Sequence, residues 1–262
     1  MKKIRLRDKN KLLLIFLILI LFGVNYPFLD KTLKNLFVNY EVGIVERVVD
    51  GDTLIANGSS VRLLGINTPE KGEEFYEQAK LFLENLTLNK FVKLEIGKTN
   101  KDMYNRSLRY IILDGENINL KLVENGLANY YFPSGKDRYY NTFKEAWENC
   151  IEKNLNLCKK SEDKCADCVV LKKLDVNGQE IVLFNKCSFK CDLSGWRIKD
   201  EGRKNFVFPD FVLDKEVSIK VEAGKDSEDV LYWKGKEYVW TETGDTIFLR
   251  DADGKLVLWW GY

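Results

Sequence analysis

From Glu41 onward the chain alternates apolar and polar positions in short runs. "VGIVERVVD" reads as a strand, "DG" as a turn, "TLIAN" as a second strand, and "VRLLGI", after the "GSS" turn, as a third. The period then changes. "EEFYEQAKLFLENL" sets Phe75, Ala79, Phe82, Leu83 and Leu86 at helical spacing. "FVKLEI" and "SLRYIILDGENI" return to strands. "NLKLVENGLA" reads as a short helix closed by Gly126, and "YYNTFKEAWENCIEK" repeats helical spacing at Phe143, Ala146, Trp147 and Cys150. Five strands with a helix between the third and fourth predict an OB-type barrel carrying helices.

The texture changes near Lys159. "KKSEDKCADC" is a polar joint, and beyond it nearly everything reads as short strands and turns, from "VVLKKLDV" and "QEIVLFN" to "DTIFLRDADG" and "LVLWWGY". Even spacing with turn signals predicts a β-sandwich. Asn177-Gly178, at the centre of "LKKLDVNGQEIVLF", predicts a hairpin with a type I′ turn.

The N-terminus has a different pattern. "MKKIRLRDKNK" is basic, and an uncharged, strongly apolar run extends from Leu12 to Leu29. Eighteen helical residues span about 27 Å, close to the roughly 30 Å of a bilayer's hydrocarbon core. The basic flank predicts a signal anchor with its N-terminus in the cytoplasm and the bulk of the chain outside it. The rival is a cleaved signal peptide that leaves a secreted protein, although "VNYPF" after Gly23 offers no clear small-x-small site. The resulting divisions are a basic segment (1–11), a transmembrane signal anchor (12–29), a linker (30–40), the barrel (41–158), a cysteine-bearing linker (159–167) and the sandwich (168–262).

Composition narrows the chemistry. The 262 residues carry a net charge of +1, so no global basic field marks a charge-driven nucleic-acid coat protein. There is no histidine, which excludes Ser-His and Cys-His triads and every His-ligated metal site. The remaining polar candidates stand at strand edges: the "DGDT" turn with Asp52, Arg62 inside an apolar strand, Asn67, Thr68 and Glu70 in "NTPE", and Tyr104 and Arg106 in "DMYNRSLRY". Each has a plain structural reading as turn, proline stop, ion pair or loop. Together they suit a phosphodiester site. Two Arg forks clamp phosphate better than Lys, carboxylate and carbonyl oxygens suit a hard cation, and a Glu positions or deprotonates a water.

The six cysteines, Cys150, Cys158, Cys165, Cys168, Cys187 and Cys191, are even in number and follow an apparent export signal, so disulfides are the first reading. The C-x2-C…C-x3-C spacing also suits zinc. A two-residue loop at Asn177-Gly178 pairs residues whose numbers sum to about 355, which brings Cys168 to Cys187 and Cys165 close to Cys191. Cys150–Cys158 is left as the third pair.

In order and spacing, "VVDGDTL", "VRLLGINTPE", "DMYNRSLRYI" and "LVENGLANYY" resemble the staphylococcal-type thermonuclease family over roughly Val42 to Lys153. The resemblance implies an OB barrel with three helices and a Ca²⁺-dependent endonuclease that cleaves DNA or RNA and leaves 3′-phosphates. It implies Asp52 as the carboxylate metal ligand, Thr68 as a carbonyl ligand, Glu70 as general base, and Arg62 and Arg106 on the phosphate. Tyr104 would lie beside the nucleotide, and Tyr139 and Tyr140 stand where the family often places nucleotide-contacting tyrosines. The departure is Asn67, where most members have Asp; an amide oxygen still ligates Ca²⁺, but with one charge fewer. Two outcomes are open: an active enzyme that needs more Ca²⁺, or a non-catalytic nucleic-acid-binding envelope protein. "IVLFN", "CDLSGWRIKDE", "FVFPDFVL", "TGDTIFLRDADGKLV" and "WWGY" resemble the lamin-tail domain over about Val169 to Tyr262. That resemblance implies an immunoglobulin-like β-sandwich acting as a tethering module for an unknown ligand.

Overall fold

The protein is described from a computed structural model, which covers residues 11, 14–17, 20, 23 and 39–262. Residues 11, 14–17, 20 and 23 are helical. No helix of the described residues is long and apolar enough to cross a membrane. Most of the 12–29 segment expected to be an anchor lies outside them.

From Glu41 to Tyr262 the chain forms one compact unit. Its first part is a five-stranded closed barrel. The strands are β1 (Tyr40–Asp50), β2 (Thr53–Ala56), β3 (Ser59–Leu63), β5 (Phe91–Lys101) and β6 (Ser107–Leu113), in the order β3-β2-β1-β5-β6. A parallel pairing of β3 with β6, Arg62 opposite Leu108, closes the ring. This is the topology of an OB barrel, and closure leaves no free sheet edge. Val45, Leu54, Val61, Leu94 and Ile111 fill the interior, from alternate positions of their strands.

The single run expected over "VRLLGI" is broken in two. Gly65 takes φ 76°, which turns β4 (Gly65–Asn67) away from the barrel to pair with β8 (Asn129–Tyr131). A Cβ at Gly65 would lie 3.1–3.2 Å from the rings of Phe132, Phe143 and Tyr110, so packing as well as φ requires glycine there.

Three helices cover the barrel. α1 (Tyr76–Thr87) buries Ala79 and Leu83; α2 (Ile118–Glu124) starts at Asn117, whose side chain accepts the Leu120 N–H; α3 (Tyr140–Lys153) buries Phe143, Ala146, Trp147 and Cys150. A two-residue strand, β7 (Glu116–Asn117), precedes α2.

The second part holds two four-stranded sheets. One has β9 (Val169–Asp175), β10 (Glu180–Asn185), β15 (Glu216–Lys220) and β16 (Val230–Tyr232). The other has β12 (Arg197–Lys199), β13 (Asn205–Val207), β17 (Thr246–Arg250) and β18 (Leu256–Gly261). β11 (Cys191–Asp192) and β14 (Val212–Leu213) pair separately. Both sheets feed one apolar core around Trp196, Trp233 and Trp240.

The β9–β10 register begins as the Asn177-Gly178 count predicts, with Glu180 opposite Asp175, and a bulge after Val182 shifts it by one. The turn is not type I′. Gln179 takes the left-handed conformation at φ 50°, Gly178 does not, and the Asp175 carboxylate accepts the Gly178 N–H at 2.8 Å. The Gln179 side chain bonds the Val239 and Trp240 N–H groups and the Trp240 carbonyl, so a long-range contact decides the turn.

Cys150–Cys158, Cys165–Cys191 and Cys168–Cys187 form disulfides, with Cα–Cα distances of 5.7, 5.6 and 5.3 Å. No cysteine is left for zinc.

The two parts share a seam. Phe248 and Leu256 belong to the barrel's apolar cluster; the Phe248 ring meets Trp147 edge-on at 5.4 Å, and Trp259 meets Tyr130 at 6.4 Å. The segment after Cys158 is no free tether. Leu256 N–H donates to Lys159, and Ser161 N–H to Leu256.

Candidate active site

Asp52, Arg62, Asn67 and Thr68 come together in a buried knot at one end of the barrel. The β1–β2 turn supplies Asp52. A Cβ on the preceding Gly51 would sit 2.7 Å from the Ala79 Cβ and 2.9 Å from the Thr68 side chain, so glycine there lets the turn, α1 and the Thr68 loop close on one another. Thr53 and Arg62 face each other across β2 and β3.

Asp52 Oδ2 receives the Thr68 N–H at 3.1 Å and the Thr68 hydroxyl at 3.0 Å, and lies 2.9 Å from an Arg62 Nη2. The same nitrogen donates to the Asn67 amide oxygen at 3.2 Å, and Arg62 Nη1 donates to the Leu63 carbonyl at 3.0 Å. Burial pulls the Arg62 guanidinium below its ordinary pKa. Asp52 offsets part of that, while the nearby charges of Arg106 and Arg203 add to it. Asp50, not singled out from the sequence, stands beside this knot; burial and the charge of Asp52 push its carboxyl up. The doubled acid of "DGD" was the available signal.

Arg106 is fixed from a different loop. Asp102 accepts the Tyr104 N–H, the Arg106 N–H and the Arg106 Nε, the last at 2.7 Å. Burial tends to raise the Asp102 carboxyl, but these Arg106 bonds outweigh it and hold the group below its usual range. Tyr104 is 71% exposed, with its ring against the Arg106 guanidinium. Arg62, Arg106, Tyr104 and Tyr131 line a cleft of about 420 Å³. Tyr139 and Tyr140 are packed elsewhere: the Tyr139 hydroxyl donates to Glu95, and the Tyr140 ring meets Phe132 edge-on at 5.3 Å. Tyr104, Tyr110 and Tyr131 are the tyrosines that line the cleft.

Glu70 lies on the irregular segment after β4, half-exposed, with its carboxylate 2.6 Å from Arg203 Nε. Arg203 belongs to the β12–β13 hairpin of the second part, as does Gly202, whose carbonyl receives the Asn67 amide at 2.8 Å. No periodicity or motif in the sequence links these distant residues to the site.

The donors near Asp52 suit a hard cation. They are carboxylate and amide oxygens, those of Asp52 and Asn67 both facing the Arg62 guanidinium, and the like charges of Asp50 and Asp52 repel. Among the described residues no group of three or more His, Cys, Asp or Glu side chains is placed to hold a metal.

Residues 60–160 match the family described as "Staphylococcal nuclease homologue", and residues 165–262 match the "Lamin Tail Domain". The thermonuclease of Staphylococcus intermedius is 34% identical over 130 residues, which cover 46% of this chain and 77% of that protein. The chain belongs to the staphylococcal nuclease family. A second staphylococcal nuclease relative, the thermonuclease of Staphylococcus hyicus, is 31% identical over 141 residues, 49% of this chain and 82% of that protein. An uncharacterized endonuclease of Haemophilus influenzae is 35% identical over 118 residues, 43% of this chain and 64% of that protein. The family's chemistry is hydrolysis of phosphodiester bonds, and in this member the nuclease barrel is followed by a lamin-tail domain.

Proposed function

We propose that this nuclease is a Ca²⁺-dependent endonuclease on DNA or RNA that leaves 3′-phosphates. The observation that carries the reading is the convergence of Asp52, Arg62, Asn67 and Thr68 in one buried knot beside a cleft that also receives Arg106. Arg62 is held by Asp52, Asn67 and the Asp52 and Leu63 carbonyls at the wall of the cleft, where its fixed positive charge favours a phosphate. Arg106, pinned by Asp102, supplies the second fork. Glu70 takes a proton from water as the water oxygen bonds phosphorus. The P–O5′ bond breaks in line, the leaving oxygen takes a proton from solvent, and the 3′-phosphate remains. Tyr104 offers an exposed ring for a base to stack on. Asp52, the Asn67 amide oxygen and the Thr68 carbonyl would hold Ca²⁺, which supplies Lewis-acid polarisation of a phosphoryl oxygen when bound.

The same proposal places the bulk of the chain outside the cytoplasm, anchored by residues 12–29 or secreted after their removal. The basic flank and three disulfides support it.

The test is a cleavage assay on DNA and RNA with the full chain across Ca²⁺ concentrations, with end-group analysis. We expect 3′-phosphate products, and losses of at least ~100-fold in turnover for Arg62→Ala and Glu70→Gln. No cleavage up to ~10 mM Ca²⁺, above the weakest extracellular sites, rules the enzyme out. It would leave a non-catalytic binder, for which Glu70→Gln changes nothing.

A further inference from the structure

The segment that carries Glu70 has little structure of its own. Between Asn67 and the start of α1 it forms no helix or strand. It includes Gly72 at φ 93° and Phe75 at φ 66°, a conformation costly for an aromatic residue. Its internal backbone bonds are few; Glu73 N–H donates to the Glu70 carbonyl at 2.8 Å. Such a segment does not fix a general base unaided, because a base must stay within hydrogen-bond reach of its water.

The lamin-tail domain supplies what is missing. Asn67, at the segment's start, donates to the Gly202 carbonyl. The Glu70 carboxylate meets Arg203. The Glu73 carboxylate accepts the Glu70 N–H at 2.8 Å and lies 3.8 Å from Lys199, and Glu74 lies 3.7 Å from Lys255. Three successive acids of one segment thus face three bases of the other domain. The donor hairpin is itself bonded in place. Asp200 accepts the Lys204 N–H, the Glu201 carbonyl accepts the Asn129 amide, and Glu201 N–H donates to Asp245.

We infer that the lamin-tail domain is a working part of the nuclease site: its β12–β13 hairpin positions the Glu70 segment, with Arg203 as the positioning residue. Arg203 acts through Glu70, not on the phosphate. The inference rests on Glu70 being the base, and its test contains a reading independent of catalysis.

The full-length chain is compared with R203Q and R203K. In R203Q we expect kcat to fall about fivefold with KM unchanged, the upper factor for an exposed ion pair. R203K keeps the charge and regains most of the rate. Limited trypsinolysis supplies the second reading, since Lys71 is exposed at the centre of the segment. Cleavage after Lys71 should be faster in R203Q than in the parent or R203K. Unchanged kcat, a raised kcat (the mark of an inhibitory latch), a raised KM at constant kcat (the mark of a phosphate ligand), or equal trypsin cleavage each overturns the inference. An inert parent defeats the nuclease reading alone, and the trypsin comparison then still decides whether the hairpin holds the segment.

Discussion

Asn67 makes two different contacts with one side chain. Its amide oxygen faces Arg62, and its amide nitrogen donates to Gly202 of the lamin-tail domain. An Asp there would bring back a ligand charge but remove the donor, leaving a carboxylate oxygen against a buried carbonyl. Asn67→Asp should therefore lower the Ca²⁺ needed for half-maximal cleavage, as read by titration. It should also lower folding stability by about 1–3 kcal/mol, the cost of an unmatched buried polar group, as read by denaturant melts. If the Ca²⁺ requirement does not move, Asn67 is not at the metal. The residue was legible in the sequence as a departure from the family; its reason was not, because Gly202 lies 135 positions away.

The elements follow the apolar pattern closely where they are long. Four of the five barrel strands and the three helices stand where the periods of two and 3.6 put them, because each buries one face against a common core, while the third expected strand splits at Gly65. β4, β8, β11 and β16 were not legible; at two or three residues they carry no period, and tertiary pairing alone defines them. The Asn177-Gly178 signal gave the initial register but not the turn, since the reach of Gln179 to Trp240 outweighed local preference. Gly51 is an element-level constraint hidden in a common hairpin dipeptide. Gly51→Ala should cost about 1–3 kcal/mol by overpacking, read as a lower urea midpoint. The displaced Thr68 should weaken cleavage as well.

Across the whole molecule, the seam between barrel and lamin-tail domain buries acids. Burial, then the charge of Asp245, pushes the Glu201 carboxyl up to about 8, and burial with Asp245 pushes Asp200 up to about 6. The unfolded chain ionises a Glu near its ordinary value of 4.5, so the folded state holds the proton longer. The stability this contributes is full below that value and is lost as pH rises through about 8. The denaturation midpoint should thus fall between about pH 5 and 8, and Glu201→Gln should flatten the fall. A slope unaltered by Glu201→Gln would assign it to other groups. The seam also bears on synthesis. The ribosome completes the barrel's strands and helices, through Lys153, long before it reaches Phe248 and Leu256, which the barrel's own core includes. Until then Trp147 and Tyr130 lack the Phe248 and Trp259 rings that cover them, the kind of exposed apolar surface that makes incomplete domains prone to aggregate. A nuclease assembled this way has its full barrel core only once its last two strands have been made.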